Sequence, residues 1–131
     1  MNYVTPSEGA DYKLSIEQRQ RYLYAMVDGA DDNVKTVLAY WKKIAAELKN
    51  SAERRLLFEK MRSAELSVTA AFTVTSAVAS MGLVGTKIAF VKHDPDVNRT
   101  SAFTETASLN RGLIVKIFAA ADIAEEWLLR D

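Results

Sequence analysis

Residues 102–118 read AFTETASLNRGLIVKIF, and our prediction of the fold starts from this stretch. Four of its residues recur at helical spacing: Phe103, Thr106, Ala107 and Asn110. This spacing predicts a short helix with one stripe against an apolar surface, and Gly112 ends it because glycine adopts positive φ without a Cβ clash. Residues 113–118 are apolar on both alternating faces except at Lys116, which predicts a central strand covered on both faces.

Strands and helices alternate along the rest of the chain. Dense or alternating apolar residues predict strands at 12–17, 21–27, 55–59, 87–91 and 113–118. Apolar residues at steps of three and four predict helices at 34–48, 67–81, 102–110 and 122–129. Residues 18–20 form the tip of a hairpin between the first two strands. Residues 1–11 contain Pro6 and Gly9 and show no periodicity, so we expect a poorly ordered leader there.

The predicted element order is β-β-α-β-α-β-α-β-α, which indicates the α/β class and a single domain over residues 1–131. Helical crossovers of this length connect parallel strands in a right-handed sense. The strands at 87–91 and 113–118 have apolar side chains on both faces. A sheet face that no helix covers would therefore mark a partner or a ligand.

The helix at 67–81 is unusual because residues 66–86 carry no charged side chain. Seven hydroxyl residues in the same stretch, and the strand that follows it, argue against a membrane span. A helix with so little charge is more often buried on two sides, against its own sheet and against a neighbour or a second subunit. Phe72 lies in this helix, and Ser67 is placed to cap its first turn.

The composition excludes several classes of protein. Lys plus Arg and Asp plus Glu both number 17, so no net charge draws the chain to nucleic acid or to an anionic membrane. The absence of cysteine excludes disulfides, thiolate nucleophiles and thiolate-bound metals. No glycine-rich phosphate loop or serine-nucleophile motif is present, so we expect neither a cofactor nor a catalytic set. The polar first residues do not form a secretory signal, and we expect a cytoplasmic protein without a transmembrane segment.

A set of residues in the second half of the chain resembles a known family. It consists of Phe103, Glu105, Ala107, the run Asn110-Arg111-Gly112, Ala124 and Trp127-Leu128. With these residues the chain is similar to small bacterial proteins of the STAS (SpoIIAA-like) family, which is named for antagonists of anti-sigma factors. The similarity is good over residues 55–129 and loose before them. It implies a mixed five-stranded sheet with the first strand antiparallel and the helices mainly on one face.

The family resemblance also bears on regulation. STAS domains that are switched by phosphorylation carry an Asp-Ser pair at the start of the helix after their third strand. Residues 61–67 read MRSAELS and contain no such pair. We therefore predict that Ser67 is an N-cap in preference to a phosphoacceptor, because the first turn of a helix needs a side-chain oxygen.

His93 is the only histidine, and Asp94 and Asp96 lie beside it. Imidazole and carboxylate groups at the carboxyl end of a strand stand where open α/β folds bind ligands, so a catalytic or metal role is one interpretation. The other interpretation is a solvated loop in which Asp94-Pro95 makes a turn. A lone histidine cannot make a closed metal site, so we predict no metal.

The remaining candidates for an interaction or ligand site are Ser67, Phe72, Glu105, Asn110 and Arg111. The Arg111 guanidinium could bind an anion or a partner's carboxylate in bidentate fashion. In the alternative interpretation Asn110 and Gly112 form the turn, and Arg111 pairs with an acidic neighbour such as Glu105 or Glu59.

These observations favour a non-enzymatic regulatory or protein-interaction module of STAS-like type. It would form a homodimer or bind a regulatory protein through its uncharged helix or an uncovered sheet face. The alternative is a carrier or sensor of an apolar, lipid-like ligand, because the CRAL-TRIO lipid-transfer domains combine a similar layout with a hydrophobic pocket. An enzyme that uses His93 or Glu105 ranks third, since it requires a concave site that holds both residues.

Overall fold

The computed structural model describes residues 2–6, 12–28, 34–61, 67–93 and 111–130, together with Glu105 and Leu109. These residues form six strands and three helices. The strands are β1 (Asn2–Pro6), β2 (Lys13–Arg19), β3 (Tyr22–Asp28), β4 (Arg55–Lys60), β5 (Lys87–Lys92) and β6 (Ile114–Phe118). The helices are α1 (Val34–Ser51), α2 (Val68–Ala79) and α3 (Ala121–Leu129). Glu105 and Leu109 are helical, in agreement with the helix predicted at 102–110.

All six strands lie in one sheet, in the order β1-β2-β3-β4-β5-β6. β2 runs antiparallel to both β1 and β3, whereas β3, β4, β5 and β6 run parallel to one another. The α/β class and the mixed sheet are therefore confirmed, and the strand predicted first, which is β2, is antiparallel. Because β3 to β6 are parallel, their carboxyl ends lie along the same edge of the sheet.

The structure differs from the prediction at residues 1–11. Asn2–Pro6 form β1 and pair with β2, which adds a sixth strand at the edge. This stretch reads NYVTP, and Tyr, Val and Thr have high strand propensity. By pairing with β2, the stretch covers an edge that would otherwise have free N–H and C=O groups. Residues 7–11 of the expected leader lie outside the described residues. The tip of the hairpin also moves, from residues 18–20 to residues 20–21.

α1 and α2 cover one face of the sheet. The buried residues of α1 recur at helical spacing: Val37, Tyr40, Trp41, Ile44, Ala45 and Leu48. They belong to a core that includes Leu14, Ala25 and Phe58 of the sheet, all fully buried. The ring centroids of Trp41 and Phe58 are 4.8 Å apart, a separation typical of favourable aromatic pairs.

α3 covers part of the opposite face, over β4, β5 and β6. Ala124 and Leu128 of α3 are buried against Leu57, Ala89 and Val91, and together they form a second core. α1 and α2 thus share one face and α3 occupies the other. The apolar residues on both faces of β4 and β5 are explained by this arrangement, since each face has its own helix layer.

β6 is an edge strand, so the prediction of a central strand at 113–118 is wrong. Among the described strands β6 pairs with β5 alone, Ile114 is 44% exposed and Lys116 is exposed. The apolar side chains on its two faces have helical neighbours, because Val115 packs against the first core and Phe118 against the second. Apolar residues on both faces of a strand therefore indicate cover above and below it, not a strand on either side.

Candidate functional site

The uncharged helix of the sequence is α2, and Ser67 is its N-cap. The Ser67 Oγ accepts a hydrogen bond from the backbone N–H of Ala70 at 3.1 Å. This contact satisfies one of the free N–H groups in the first turn, which is the role predicted for Ser67. Residues 62–66, which precede it, lie outside the described residues.

Several hydroxyl groups of α2 and its C-cap bond to the helix backbone. Three of them donate to the carbonyl four residues earlier: Thr73 to Thr69 at 3.0 Å, Thr75 to Ala71 at 2.8 Å and Ser80 to Ser76 at 2.9 Å. A hydroxyl bonded in this way turns its polar atom toward the backbone and leaves carbon atoms at the surface. Thr69, Thr73 and Ser80 are exposed, and α2 itself contributes no charged side chain to its outer side.

Phe72 and Arg111, both candidates from the sequence, meet on the outer side of α2. The guanidinium carbon of Arg111 lies 4.5 Å from the centroid of the Phe72 ring, and Arg111 Nε donates to Ser76 Oγ at 3.0 Å. Phe72 remains 47% exposed. The carboxylates proposed as partners of Arg111, Glu59 and Glu105, bond to other groups that are described below. Stacking on an aromatic ring is a favourable position for a guanidinium.

Two further apolar side chains are exposed close to this pair: Val84 at 60% and Leu109 at 65%. Their backbone segments meet at Gly112, whose N–H donates to the Leu109 carbonyl at 3.0 Å. Gly112 has a φ of 83°, and a Cβ there would lie 3.0 Å from Val84 Cγ1, so both the turn and the close approach require glycine. We refer to Phe72, Val84 and Leu109 as the apolar patch. Ile114, which is 44% exposed, pairs with Lys87 in the sheet and lies on the face that carries α3.

Glu105 lies at the outer edge of β6. Its Oε2 accepts a hydrogen bond from the backbone N–H of Ile117 at 2.9 Å. His93 contacts Glu59 of β4 instead. The two residues considered for an enzyme are thus held by different strands, and the structure does not bring them into one concave site. Asn110 lies outside the described residues.

A hydrogen-bonded row joins side chains of three neighbouring parallel strands or their ends. Tyr24 of β3 donates its hydroxyl to Glu59 Oε1 of β4 at 2.5 Å. Glu59 Oε2 lies 2.5 Å from Nε2 of His93, which directly follows β5. The Glu59 side chain is 12% exposed and that of His93 is 39% exposed. Within the described part of the chain, no three His, Cys, Asp or Glu side chains are grouped to hold a metal ion.

Two tyrosines on this face are held in their neutral form. Burial raises the pKa of Tyr24, and its hydrogen bond to Glu59 raises that pKa further. Burial also raises the pKa of Tyr22, whose hydroxyl donates to Glu125 of α3. The Arg19 guanidinium lies 3.9 Å from the centroid of the Tyr24 ring and donates to the Tyr22 hydroxyl at 3.4 Å. Arg19 therefore links the two tyrosines.

Our sequence reasoning missed Tyr24 and Glu59 as members of a site. Glu59 directly follows the apolar residues 56–58 of β4, and a carboxylate next to such a buried run is a signal that a polar group is needed there. Tyr24 is 35 residues away in the chain, and only the parallel register of β3 and β4 brings the two together. Val84 and Leu109 were missed because they come together only where the chain turns at Gly112, which no local pattern shows.

An apolar cavity lies between α1, α2 and the sheet. Its volume is about 70 Å³, and its lining includes Trp41, Val78, Ile88 and Val115. Pockets for small organic ligands typically have volumes of roughly 300–1,000 Å³. This cavity therefore has room for only a few atoms.

Comparison with known proteins finds no match, either among family models or among curated proteins. None of the helices in the described residues has the length and apolar character needed to cross a membrane. The inference of function therefore rests on the geometry of α2, the apolar patch and the Tyr24–Glu59–His93 row.

Proposed function

We propose that this protein is a non-enzymatic interaction module of STAS-like type that forms a homodimer through the outer side of α2 and the apolar patch. The observation that carries the proposal is the exposed side of α2, whose own residues carry no formal charge and where the Thr73 hydroxyl bonds to the helix backbone. Such a surface leaves apolar atoms in water in the monomer, and a partner removes that unfavourable exposure. The STAS-like part of the proposal draws on the residue pattern near the end of the chain and on the order of the elements from β2 to α3.

A second copy of the chain is the partner that this surface fits best. A dimer with two-fold symmetry places the same surface on both sides of the interface, so a charged group near the axis faces its own copy. The segment Val68–Ala79 contains no charged residue, so two copies can approach there if the axis keeps the two Arg111 guanidinium groups, which lie on the same side, away from each other. The balance of 17 basic and 17 acidic residues adds no long-range repulsion between the copies.

Phe72 and Arg111 are the side chains expected to contribute most to binding. Aromatic and arginine residues dominate the energetically important positions of protein interfaces. Arg111 is already held by the Phe72 ring and by Ser76, so it loses little side-chain freedom when a partner docks. The remaining residues of the apolar patch exclude water around this pair.

The sequence alternative, a carrier of an apolar ligand, has weaker support. The apolar cavity of about 70 Å³ is several times smaller than ordinary ligand pockets, which hold roughly 300–1,000 Å³. The apolar surface of this protein instead lies outside, at Phe72 and its neighbours. We therefore favour a protein partner over a lipid.

The homodimer is tested by sedimentation equilibrium of the wild-type chain and of the variant Phe72→Asp. We expect wild-type protein to dimerise with a dissociation constant in the micromolar range, equivalent to about −8 kcal/mol, because a single 12-residue helix and a turn make a small interface. The Phe72→Asp variant should sediment as a monomer, because two buried carboxylates would face each other across the axis.

The matched control is Ile123→Asp on α3, since Ile123 is 57% exposed on the opposite face of the sheet. This variant should dimerise as the wild type does. Circular dichroism establishes that both variants are folded. Wild-type protein that stays monomeric at about 100 μM, well above a micromolar dissociation constant, would refute the homodimer.

A further inference from the structure

The row formed by Tyr24, Glu59 and His93 is not used by the proposed dimer. These side chains lie on the face of the sheet that α3 covers in part, whereas α2 lies on the other face. Chemistry at this row is therefore independent of the homodimer. His93 is the only histidine of the chain, so any chemistry of an imidazole can be assigned to it without ambiguity.

The hydrogen bonds of Glu59 determine which nitrogen of His93 is available. An ionised carboxylate only accepts hydrogen bonds, so the group 2.5 Å from Glu59 Oε2 is a protonated Nε2. In the neutral imidazole the other nitrogen, Nδ1, then carries a lone pair. The second oxygen of Glu59 is occupied by the Tyr24 hydroxyl at 2.5 Å, which holds the carboxylate in place. His93 is thus an oriented imidazole, and 39% of its side chain is exposed.

A histidine oriented by a carboxylate serves as a metal ligand, a general base or a nucleophile in proteins. A metal site needs further ligands, and the described residues contain no group of three suitable side chains. A general base needs a hollow that holds a substrate, and the cavity described above is lined by other residues. A nucleophile needs only an accessible lone pair and a group that stabilises the charge formed on the ring. The His93 side chain is 39% exposed, and Glu59 is the adjacent carboxylate.

We propose that His93 is a phosphoacceptor that takes a phosphoryl group on Nδ1 from a high-energy donor of the acyl phosphate or phosphoramidate class. The Nδ1 lone pair forms a bond to phosphorus, and the bond between phosphorus and the leaving group breaks. The leaving group, a carboxylate or ammonia, departs with the electron pair of that bond. The ring then carries a positive charge and keeps its proton on Nε2.

Glu59 assists this step because its carboxylate lies beside the nitrogen where the positive charge develops. A charge that is already oriented toward the developing opposite charge stabilises the transition state without reorganisation. Tyr24 is a positioning residue, since it contacts Glu59 and not His93. The Arg19 guanidinium, 3.9 Å from the centroid of the Tyr24 ring, restrains Tyr24 in turn.

The experiment incubates the full chain with potassium phosphoramidate and follows the intact mass with time. We expect one acid-labile phosphoryl group per chain, formed faster than on free N-acetylhistidine under the same conditions. Because His93 is the only histidine, the variant His93→Asn should gain none. Phosphorus NMR of the product should show a single phosphoramidate signal, assigned to Nδ1 substitution.

The decisive variant is Glu59→Gln. The amide of glutamine can donate to Nε2, which moves the ring proton to Nδ1 and removes the reacting lone pair. The rate should therefore fall by about tenfold or more. Glu125→Gln, which alters the corresponding partner of Tyr22, is the control and should react at the wild-type rate.

Two results would overturn this assignment. One is wild-type protein that reacts no faster than free N-acetylhistidine. The other is a Glu59→Gln variant that is folded by circular dichroism and reacts as fast as the wild type. Neither result bears on the homodimer, which is measured separately by sedimentation with the Phe72 variant.

Discussion

Ala52 follows the last turn of α1 with a φ of 60°. A residue with a Cβ is strained in this left-handed region, at a cost of about 1–2 kcal/mol, whereas glycine adopts it freely. Glycine at this position removes the strain, but it also increases the conformational freedom of the unfolded chain, which offsets part of the stabilisation. We therefore predict that Ala52→Gly raises the free energy of unfolding by about 0.5–1 kcal/mol, measured by urea denaturation.

The control for this prediction is Ala46→Gly, at an exposed position within α1. There the backbone is helical, and glycine should lower the free energy of unfolding by about 1 kcal/mol. The left-handed geometry at Ala52 would be contradicted if both substitutions destabilised the protein equally.

The raised pKa of Tyr24 leads to a prediction about alkaline pH. Below the ordinary tyrosine pKa of 10.0 the hydroxyl is protonated in both states, so it adds no pH dependence. Above that pH the unfolded chain loses the proton while burial and Glu59 retain it in the folded chain. The free energy of unfolding should therefore fall as pH rises past about 10, with a slope of at most about 1.4 kcal/mol per pH unit for this group.

Urea denaturation between about pH 8 and pH 11 measures this slope. Tyr22 shifts in the same direction, so two single variants are needed to separate the tyrosines. In Tyr24→Phe the free energy of unfolding should fall less steeply with pH, because the contribution of Tyr24 is absent. Tyr22→Phe should likewise lack the contribution of Tyr22. An unchanged slope in both variants would show that other groups cause the alkaline loss of stability.

At the scale of elements, Lys87 of β5 fixes the end of α3. Its Nζ donates to the carbonyls of Trp127 at 2.8 Å and Arg130 at 2.6 Å, and it lies 4.5 Å from the centroid of a Trp127 ring. A cation at the carboxyl end of a helix satisfies its last carbonyls and opposes its dipole. We predict that Lys87→Met lowers the free energy of unfolding by about 1–2 kcal/mol and shifts the fluorescence of Trp127 to longer wavelength.

Lys116→Met is a suitable comparison, because Lys116 is exposed on the same face in β6. This change should alter stability by less than about 0.5 kcal/mol. Equal effects of the two substitutions would mean that the contacts of Lys87 with α3 contribute nothing beyond those of an ordinary surface lysine.

The helices and most strands of the described chain could be predicted from periodicity, because each has a layer to pack against. α1 begins at Val34 as predicted, and β4 and β5 each extend one residue past their predicted ends. The edge position of β6 could not be predicted, because its apolar pattern reflects helix layers and not strand neighbours. β1 was missed because five residues near a proline carry too short a pattern.

At the scale of the whole molecule, one sheet separates two hydrophobic cores that each contain or contact a tryptophan. Trp41 lies in the first core and Trp127 packs against the second. Both cores share β4 and β5, whose side chains point alternately into one and the other. If the shared strands unfold, both cores become exposed to water at once. We therefore predict a single cooperative unfolding transition.

Single-tryptophan variants measure this coupling. Trp127→Phe leaves Trp41 as the probe of the first core, and Trp41→Phe leaves Trp127 as the probe of the second. After correction for the effect of each substitution on the total stability measured by circular dichroism, fluorescence and circular dichroism should give the same midpoint within each variant. A fluorescence midpoint of Trp127 below that of circular dichroism would show that α3 unfolds separately.

The candidate surfaces were predictable to different degrees. α2 was found from its missing charges, and Phe72 lies in it. Arg111 was named separately, after the helix predicted at 102–110, and its contact with Phe72 depends on the path of the chain around Gly112. His93 was found because it is unique. Its partners Glu59 and Tyr24 were not, because hydrogen bonds between parallel strands join residues that no local pattern relates.

The hydrogen bond from the Ile117 N–H to Glu105 affects whether β6 can pair with strands of other molecules. Free N–H groups along a sheet border recruit strands from other chains, and repetition of that step builds fibrils. Here the Glu105 carboxylate of the same chain accepts a hydrogen bond from one of those N–H groups and places a negative charge at the edge of the sheet. Pairing of β6 with a strand of another molecule is therefore discouraged.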